Sequence, residues 1–335
     1  MRRLKFFIGL LAWNVFCQTA WSYDPLALQA KLNHQLAPFK HKVGVAFIDL
    51  KTGDILQVNG SMEFPAASVA KVPVMAAAYH LVELKQLNLA EKLKLRKEDK
   101  VGGSGYLQWM KPGTVMSLKD LIGLMIMRSD NTATKMLVDR IGLGNINQYL
   151  QANDIKNTVL NDHTMLVEPP SNNNNRTCPL DMAYLTLKIQ ESYGFDKDSS
   201  QEMLYFMKNQ RYRWGIWRGV PPGTIVADKT GNLTGILNDV GVVYTKAGNY
   251  VLAIFTRNFP KKREGRKIIN DVSRLVYEEY TGEKVPTPEV KTKKRLKRKI
   301  IAKRKLSRRP SVKSRRLKGH SGRTSGHKLP SPLSR

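Results

Sequence analysis

The chain has 335 residues, 41% of them hydrophobic, and a formal net charge of +29. That is enough for one large domain or two modest ones with a sizeable core. Its two cysteines and six histidines fall in no metal-ligand spacing, which argues against a metalloenzyme, and against a disulfide-framed scaffold. The N-terminus reads MRRLK, then the short apolar run FFIGLLAWNVF, then AWSY. This is the pattern of a secretory signal peptide over residues 1–22, cleaved after Ser22. The run is too short to span a membrane comfortably, and Cys17 within it lacks the small-residue context of a lipoprotein site. No second run approaches membrane-spanning length, so the expectation is a soluble exported protein, periplasmic or extracellular. Cleavage leaves Cys178 as its single thiol. Thr177 is expected to cap a helix there, with Pro179 at an early helical position and Cys178 a packing residue rather than a nucleophile.

A catalytic region is expected over 23–283. PLALQAKLNHQLAPF reads as an amphipathic helix; KVGVAFIDL and ILQVN read as a hairpin around the turn KTGD. From Phe64 to about Gln210 the pattern is almost wholly helical. SLKDLIGLMIMR carries a capping signature at Ser117 and Asp120, and NTATKMLVDRIG ends at a glycine suited to a C-cap. Strands return as TIVADKT, NDVGVVYT and YVLAIFT, and the helix EGRKIINDVSRLVYEEYTG closes the region. The fold class is therefore α+β: an antiparallel five-stranded sheet flanked by the terminal helices, with an inserted all-α lobe. Residues 284–335 form a basic tail. From Lys291 to Arg335 it holds 19 Lys and Arg and no acid, so it cannot bury enough apolar surface to order itself.

Three short motifs stand out. Ser68 and Lys71, three apart in FPAASVAKVPV, share one helix face. Ser129-Asp130-Asn131 falls between two helices of the insertion, and Lys229-Thr230-Gly231 at the end of a strand returning to the sheet. S-x-x-K, S-D-N and K-T-G in this order form the signature of penicillin-recognising serine hydrolases. A serine hydroxyl is a weak nucleophile and needs a base such as a lysine of lowered pKa. The other K-T-G, Lys51-Thr52-Gly53, lies in a hairpin with no partner motif and reads as a turn.

With SDNTATKMLVDRIG and PPGTIVADKTGNLTGILNDVGVV, these segments make residues 25 to 281 resemble the class A serine β-lactamase family, with penicillin-binding proteins as relatives. The resemblance implies the β-lactamase/transpeptidase-like fold and roles residue by residue. Ser68 would be the nucleophile and Lys71 its base. Ser129 would pass a proton to the leaving nitrogen. Asn131 would contact Lys71 and the substrate's amide side chain. Lys229 and Thr230 would hold the substrate carboxylate, with Gly231 a further substrate-binding residue. The backbone N–H groups of Ser68 and Asn232 would form the oxyanion hole. No cofactor is implied. In the loop NDHTMLVEPPSNNNNRTCP, Glu168 resembles the family's deacylating glutamate and Asn172 its water-holding asparagine. The loop is shorter than the family's, which leaves Asp162, or no deacylation base at all, as alternatives.

The leading function is a monomeric serine β-lactamase hydrolysing β-lactams through a Ser68 acyl-enzyme. A DD-peptidase acting on peptidoglycan stem peptides, or a slowly deacylating penicillin-binding hydrolase, is the second reading. A third is a binding protein whose pocket only senses cell-wall fragments, and the intact Ser68–Lys71 pair argues against it. The tail would bind anionic cell-envelope polymers by counterion release, with nucleic acid the least fitting partner for an exported protein.

Overall fold

Asp24 starts the fold by accepting hydrogen bonds from the backbone N–H groups of Leu26 and Ala27, with Pro25 at the first helical position. The computed structural model describes residues 23–164 and 175–286. Helix α1 (Pro25–Leu36) leads to strands β1 (Val43–Asp49), β2 (Ile55–Val58) and β3 (Phe64–Pro65). A 3₁₀ turn (Ala67–Ala70) runs into α2 (Lys71–Glu83), followed by β4 (Lys92–Lys94), β5 (Val115–Ser117), α3 (Leu118–Met127), α4 (Asn131–Ile141) and α5 (Leu143–Ala152). Then come β6 (Arg176–Thr177), α6 (Pro179–Gln190), α7 (Lys197–Lys208), β7 (Ile225–Leu233), β8 (Ile236–Tyr244), β9 (Asn249–Thr256) and α8 (Lys262–Thr281).

Five strands form one antiparallel sheet in the order β2-β1-β9-β8-β7. Every residue of β1 is buried, because both faces of the sheet are covered. Side chains alternate between faces. Val43, Val45 and Phe47 meet Tyr250, Leu252 and Ile254 of β9 on the side packed by α1 and α8. Ala46 and Ile48 join Val251, Ala253 and Phe255 on the other side, against the inserted helices. Helix α1 contributes Leu28, Leu32 and Leu36 at a spacing of four, and α8 contributes Ile269, Val272, Val276 and Tyr280. Each such fully buried side chain contributes about 1.5–3 kcal/mol through burial alone.

In the inserted lobe, α2 is buried all round from Lys71 to Tyr79. An alanine-rich central helix lets its neighbours approach closely, and a lysine there is exceptional. Two small ribbons, β3 with β6 and β4 with β5, interrupt the otherwise helical stretch. Segments of two or three residues are too short to show a period-two pattern. The cap before α6 also differs from expectation. Thr177 is buried with its hydroxyl 2.8 Å from that of Thr158. Cys178 takes the extended cap conformation instead, and its Sγ accepts from the Asp181 N–H at 3.4 Å. The residue is fully buried, and burial pushes the thiol up to about 12, which fits a packing residue. No helix among the described residues is long and apolar enough to cross a membrane.

Candidate active site

The nucleophile candidate sits where two elements meet. Ser68 lies in the 3₁₀ turn rather than in α2 itself, and Lys71 is the first residue of the helix. In a 3₁₀ turn residues three apart eclipse, so the two still share one side. The segment before the turn is pinned from both flanks. Asn238 of β8 donates through Nδ2 to the carbonyls of Pro65 and Ala66 at 2.9 and 3.2 Å, and the Ala66 N–H donates to the Asn175 carbonyl at 2.8 Å. Ala67, at φ 48°, holds a left-handed backbone that costs a non-glycine residue about 1–2 kcal/mol. It turns the chain so that Ser68, half-buried, faces strand β7.

Lys229-Thr230-Gly231 lies within β7, which continues to Leu233, rather than at its end. β7 is the edge strand. Its free edge is identified by Thr230, whose N–H points to Gln210 Oε1 at 3.4 Å and whose carbonyl accepts from Lys229 Nζ at 2.8 Å. Backbone groups alternate along a strand, so the N–H of Asn232, two residues on, points to the same edge. Gly231 makes that approach possible: a Cβ there would stand 3.2 Å from the Ser68 nitrogen and 3.1 Å from Ala67 Cβ.

Ser129-Asp130-Asn131 fills the turn between α3 and α4. Ser129 also has a left-handed backbone, φ 54°. Both its carbonyl and its Oγ face Lys71, whose Nζ donates to them at 2.7 and 3.0 Å and to Asn131 Oδ1 at 2.7 Å. Lys229 Nζ donates to the same Ser129 Oγ at 3.2 Å. One hydroxyl thus bridges two fully buried lysines. Burial holds the Lys71 ammonium well below the usual lysine range, and the Lys229 charge lowers it further. Burial likewise brings Lys229 down to about 8, opposed by Asp228 and Asp239. Asp130 does a different job: its carboxylate accepts from the N–H groups of Tyr106, Leu107 and Ala133, tying the preceding loop to the turn and capping α4. Asn131 Nδ2 gives one hydrogen to the Gly102 carbonyl, leaving the other for a substrate.

Ser68, Lys71, Ser129, Asn131, Lys229, Thr230, Gly231 and Asn232 therefore come together where the 3₁₀ turn, the α3–α4 turn and the edge of β7 meet. Glu168 and Asn172 lie outside the described residues. Asp162 Oδ2 accepts from the N–H and hydroxyl of Thr164 in a local turn. Asn175 Oδ1 accepts from the N–H groups of Asn161 and Asp162, closing the base of that loop. His163 faces Asp139, with Nδ1 2.6 Å from Oδ1. Among the described residues no group of three or more His, Cys, Asp or Glu could hold a metal ion.

Three positioning groups were not foreseen from the sequence. Gln210 Oε1 accepts from the Thr230 hydroxyl at 3.1 Å, and Asn238 holds the segment that leads into Ser68. Asp228 and Asp239 are a buried carboxyl pair behind Lys229. Burial raises Asp228 to about 6, and burial plus the Asp228 charge raises Asp239 well above the carboxylate range. The visible signal was polar residues, Asp228, Asn238 and Asp239, inside otherwise apolar strands.

The chain is similar to known proteins over the region that holds these residues. The model of the "Beta-lactamase enzyme family" matches residues 27–280. The β-lactamase VEB-1 of Pseudomonas aeruginosa is 23% identical, covering 76% of this chain and 90% of its own. Among solved structures, PBP-A is 32% identical with a TM-score of 0.71, covering 79% of this chain and 100% of its own. A mutant of PBP-A has been solved as an acyl-enzyme complex with penicillin G. A β-lactamase from Sphaerobacter thermophilus is 31% identical with a TM-score of 0.71, covering 78% of this chain and 100% of its own. With the family model matching most of the chain, including every one of the converging residues, the chain belongs to the β-lactamase enzyme family.

Proposed function

We propose that the protein hydrolyses β-lactams through an acyl-enzyme on Ser68. The observation that carries this reading is the Ser129 hydroxyl held between Lys71 and Lys229, at 3.0 and 3.2 Å. Lys71 in its neutral form takes the proton from Ser68 Oγ as that oxygen attacks the lactam carbonyl. The oxyanion gathers hydrogen bonds from the Ser68 and Asn232 N–H groups, where each donor is worth ~3 kcal/mol. As the C–N bond breaks, Ser129 gives its proton to the departing nitrogen and recovers one from Lys71. Lys229 and Thr230 hold the substrate carboxylate. Water, activated by Glu168 and positioned by Asn172, then releases the acyl group.

The test is intact-mass spectrometry after brief and long exposure to benzylpenicillin. Wild type should acylate and then recover; Ser68→Ala should never gain the adduct. Glu168→Gln should gain the adduct and keep it, because an amide cannot take a proton from water and a general base is worth about 10²–10⁴ in rate. Similarity to PBP-A at 32% identity favours one second reading, a peptidase-like enzyme that acylates and deacylates slowly. Wild type that stays acylated for hours selects it. Residues 1–22 serve export in this proposal, and the tail from 284 holds the enzyme to anionic envelope polymers. Deletion of 291–335 should leave turnover unchanged and abolish salt-sensitive retention on such polymers.

A further inference from the structure

Beside the SDN turn lies a cavity of about 410 Å³, lined by Gly105, Tyr106, Arg128, Arg211 and Tyr212. Its size is in the range of small-molecule sites. Tyr106, Arg211 and Tyr212 are exposed, but the backbone that carries them is tied to the α3–α4 turn. The Tyr106 N–H donates to Asp130 Oδ2 at 2.7 Å, and the Arg211 N–H donates to the Met127 carbonyl at 3.0 Å. Gly105, at φ 97°, packs so closely on the Asp130 carboxylate that a Cβ would fall 2.2 Å from it, which keeps that wall open. Arg128 immediately precedes Ser129. Arg211 immediately follows Gln210, which receives the Thr230 hydroxyl.

Neither Arg128 nor Arg211 is in an ion pair among the described residues, although the Asp130 carboxylate, occupied by three backbone N–H groups, backs the Gly105 wall. Among the described residues the arginines in ion pairs are Arg96, Arg140 and Arg176. Two guanidiniums lining one cavity repel each other and present planar donor forks that suit a carboxylate or sulfonate. The half-exposed rings of Tyr106 and Tyr212, at 42% and 38%, offer flat walls and hydroxyls at the rim.

We propose that this cavity takes a second negative charge carried on the leaving-group side of the substrate, distinct from the carboxylate assigned to Lys229 and Thr230. The side follows from its neighbours, Ser129, which protonates the departing nitrogen, and Thr230. The inference rests on the proposed function for the meaning of "leaving group". It makes the enzyme selective for β-lactams with an anionic substituent there over neutral ones of equal size.

The probes are two cephalosporins differing only in a C3 side chain that ends in a carboxylate or in its carboxamide. Each is titrated calorimetrically into Ser68→Ala protein, so that binding is read without acylation. The carboxylate probe should bind about tenfold more tightly, and the preference should shrink as salt rises. Arg128→Gln/Arg211→Gln on that background should bring the two to parity while leaving the carboxamide affinity unchanged. The double lysine variant should retain most of the preference. Equal binding in the parent, a ratio that survives the double glutamine variant, or no binding of the carboxylate probe overturns the proposal. So does loss of the ratio in Lys51→Gln, on the β1–β2 hairpin at the opposite edge of the sheet, since that would make it an effect of general charge. Wild-type protein that neither probe acylates would remove the proposed function, while the Ser68→Ala titrations would still decide the cavity.

Discussion

Lys71 Nζ lies 2.7 Å from Oδ1 of Asn131, a neutral amide where a carboxylate would satisfy a buried ammonium better. The choice matters because the base form of Lys71 is the one that can accept a proton. Asn131→Asp would place an opposite charge at that contact, and such neighbours typically raise a lysine by about 1–3 pKa units. The acid limb of the acylation rate should therefore move to higher pH, while the rate at the alkaline plateau changes less. Stopped-flow acylation measured from about pH 5 to 9 reads this directly. An acid limb that stays in place would mean that another group is the base.

A stability signature is expected from the carboxyl pair behind Lys229. Burial raises the folded-state Asp228 from 3.8 to about 6. A group raised on folding contributes stability that is fully present below its unfolded value and is lost as pH rises through its folded value. Wild type should therefore lose stability relative to Asp228→Asn between about pH 4 and 6.5. Lys229, lowered from 10.5 to about 8, acts in the opposite sense and at higher pH, so it leaves this window flat. Calorimetric Tm values at stepped pH should show the two proteins diverging across the window. Parallel curves would mean that Asp228 does not take up its proton on folding there.

Cys178 should behave as a buried cap. Its thiol, pushed up to about 12, should ignore an aromatic disulfide reagent at neutral pH until the protein unfolds. Cys178→Ser should keep both cap and activity, whereas Cys178→Ala should cost about 0.5–2 kcal/mol of stability. Rapid stoichiometric labelling of the native protein would contradict this placement.

The sheet and the terminal helices were legible: β1, β8 and β9 are apolar runs of seven to nine residues rich in Val and Ile and bounded by turn residues, and Leu28, Leu32 and Leu36 keep a four-residue spacing. The convergence of the three motifs was legible as an order along the chain. What could not be read was geometry set by tertiary contact. The 3₁₀ turn under Ser68 depends on Asn238, 170 residues away in β8, gripping the Pro65 and Ala66 carbonyls. The cap before α6 moved from Thr177 to Cys178 because Thr158 claims the threonine hydroxyl. Asp228 and Asp239 are paired only by the register of β7 and β8, which places Asp239 opposite Thr230.

Gly231 offers the sharpest separation of fold from catalysis. Its φ is not left-handed, so alanine meets no backbone penalty there; the effect of Gly231→Ala comes from space alone. The added Cβ would lie 3.1 Å from Ala67 Cβ and 3.2 Å from both the Ala66 carbonyl oxygen and the Ser68 nitrogen. None of these neighbours is a flexible side-chain end, so β7 and the nucleophile's turn must part by a few tenths of an ångström. The fold should tolerate this at about 1–3 kcal/mol, as for other overpacked sites. The N–H groups of Ser68 and Asn232, the donors proposed for the oxyanion, lie on either side; an oxyanion hole has no such tolerance, and misplacing one donor costs about 10²–10³ in rate. Acylation of Gly231→Ala should therefore fall by roughly that factor while Tm falls only modestly. Gly223→Ala is the matched control. Its site has nothing within 4 Å of the added Cβ but a backbone at φ 95° that strains any side chain. It should lower Tm and leave acylation of the folded protein unchanged. If Gly231→Ala acylates at the wild-type rate, the edge of β7 does not form the oxyanion hole, and Asn232 loses its assigned role.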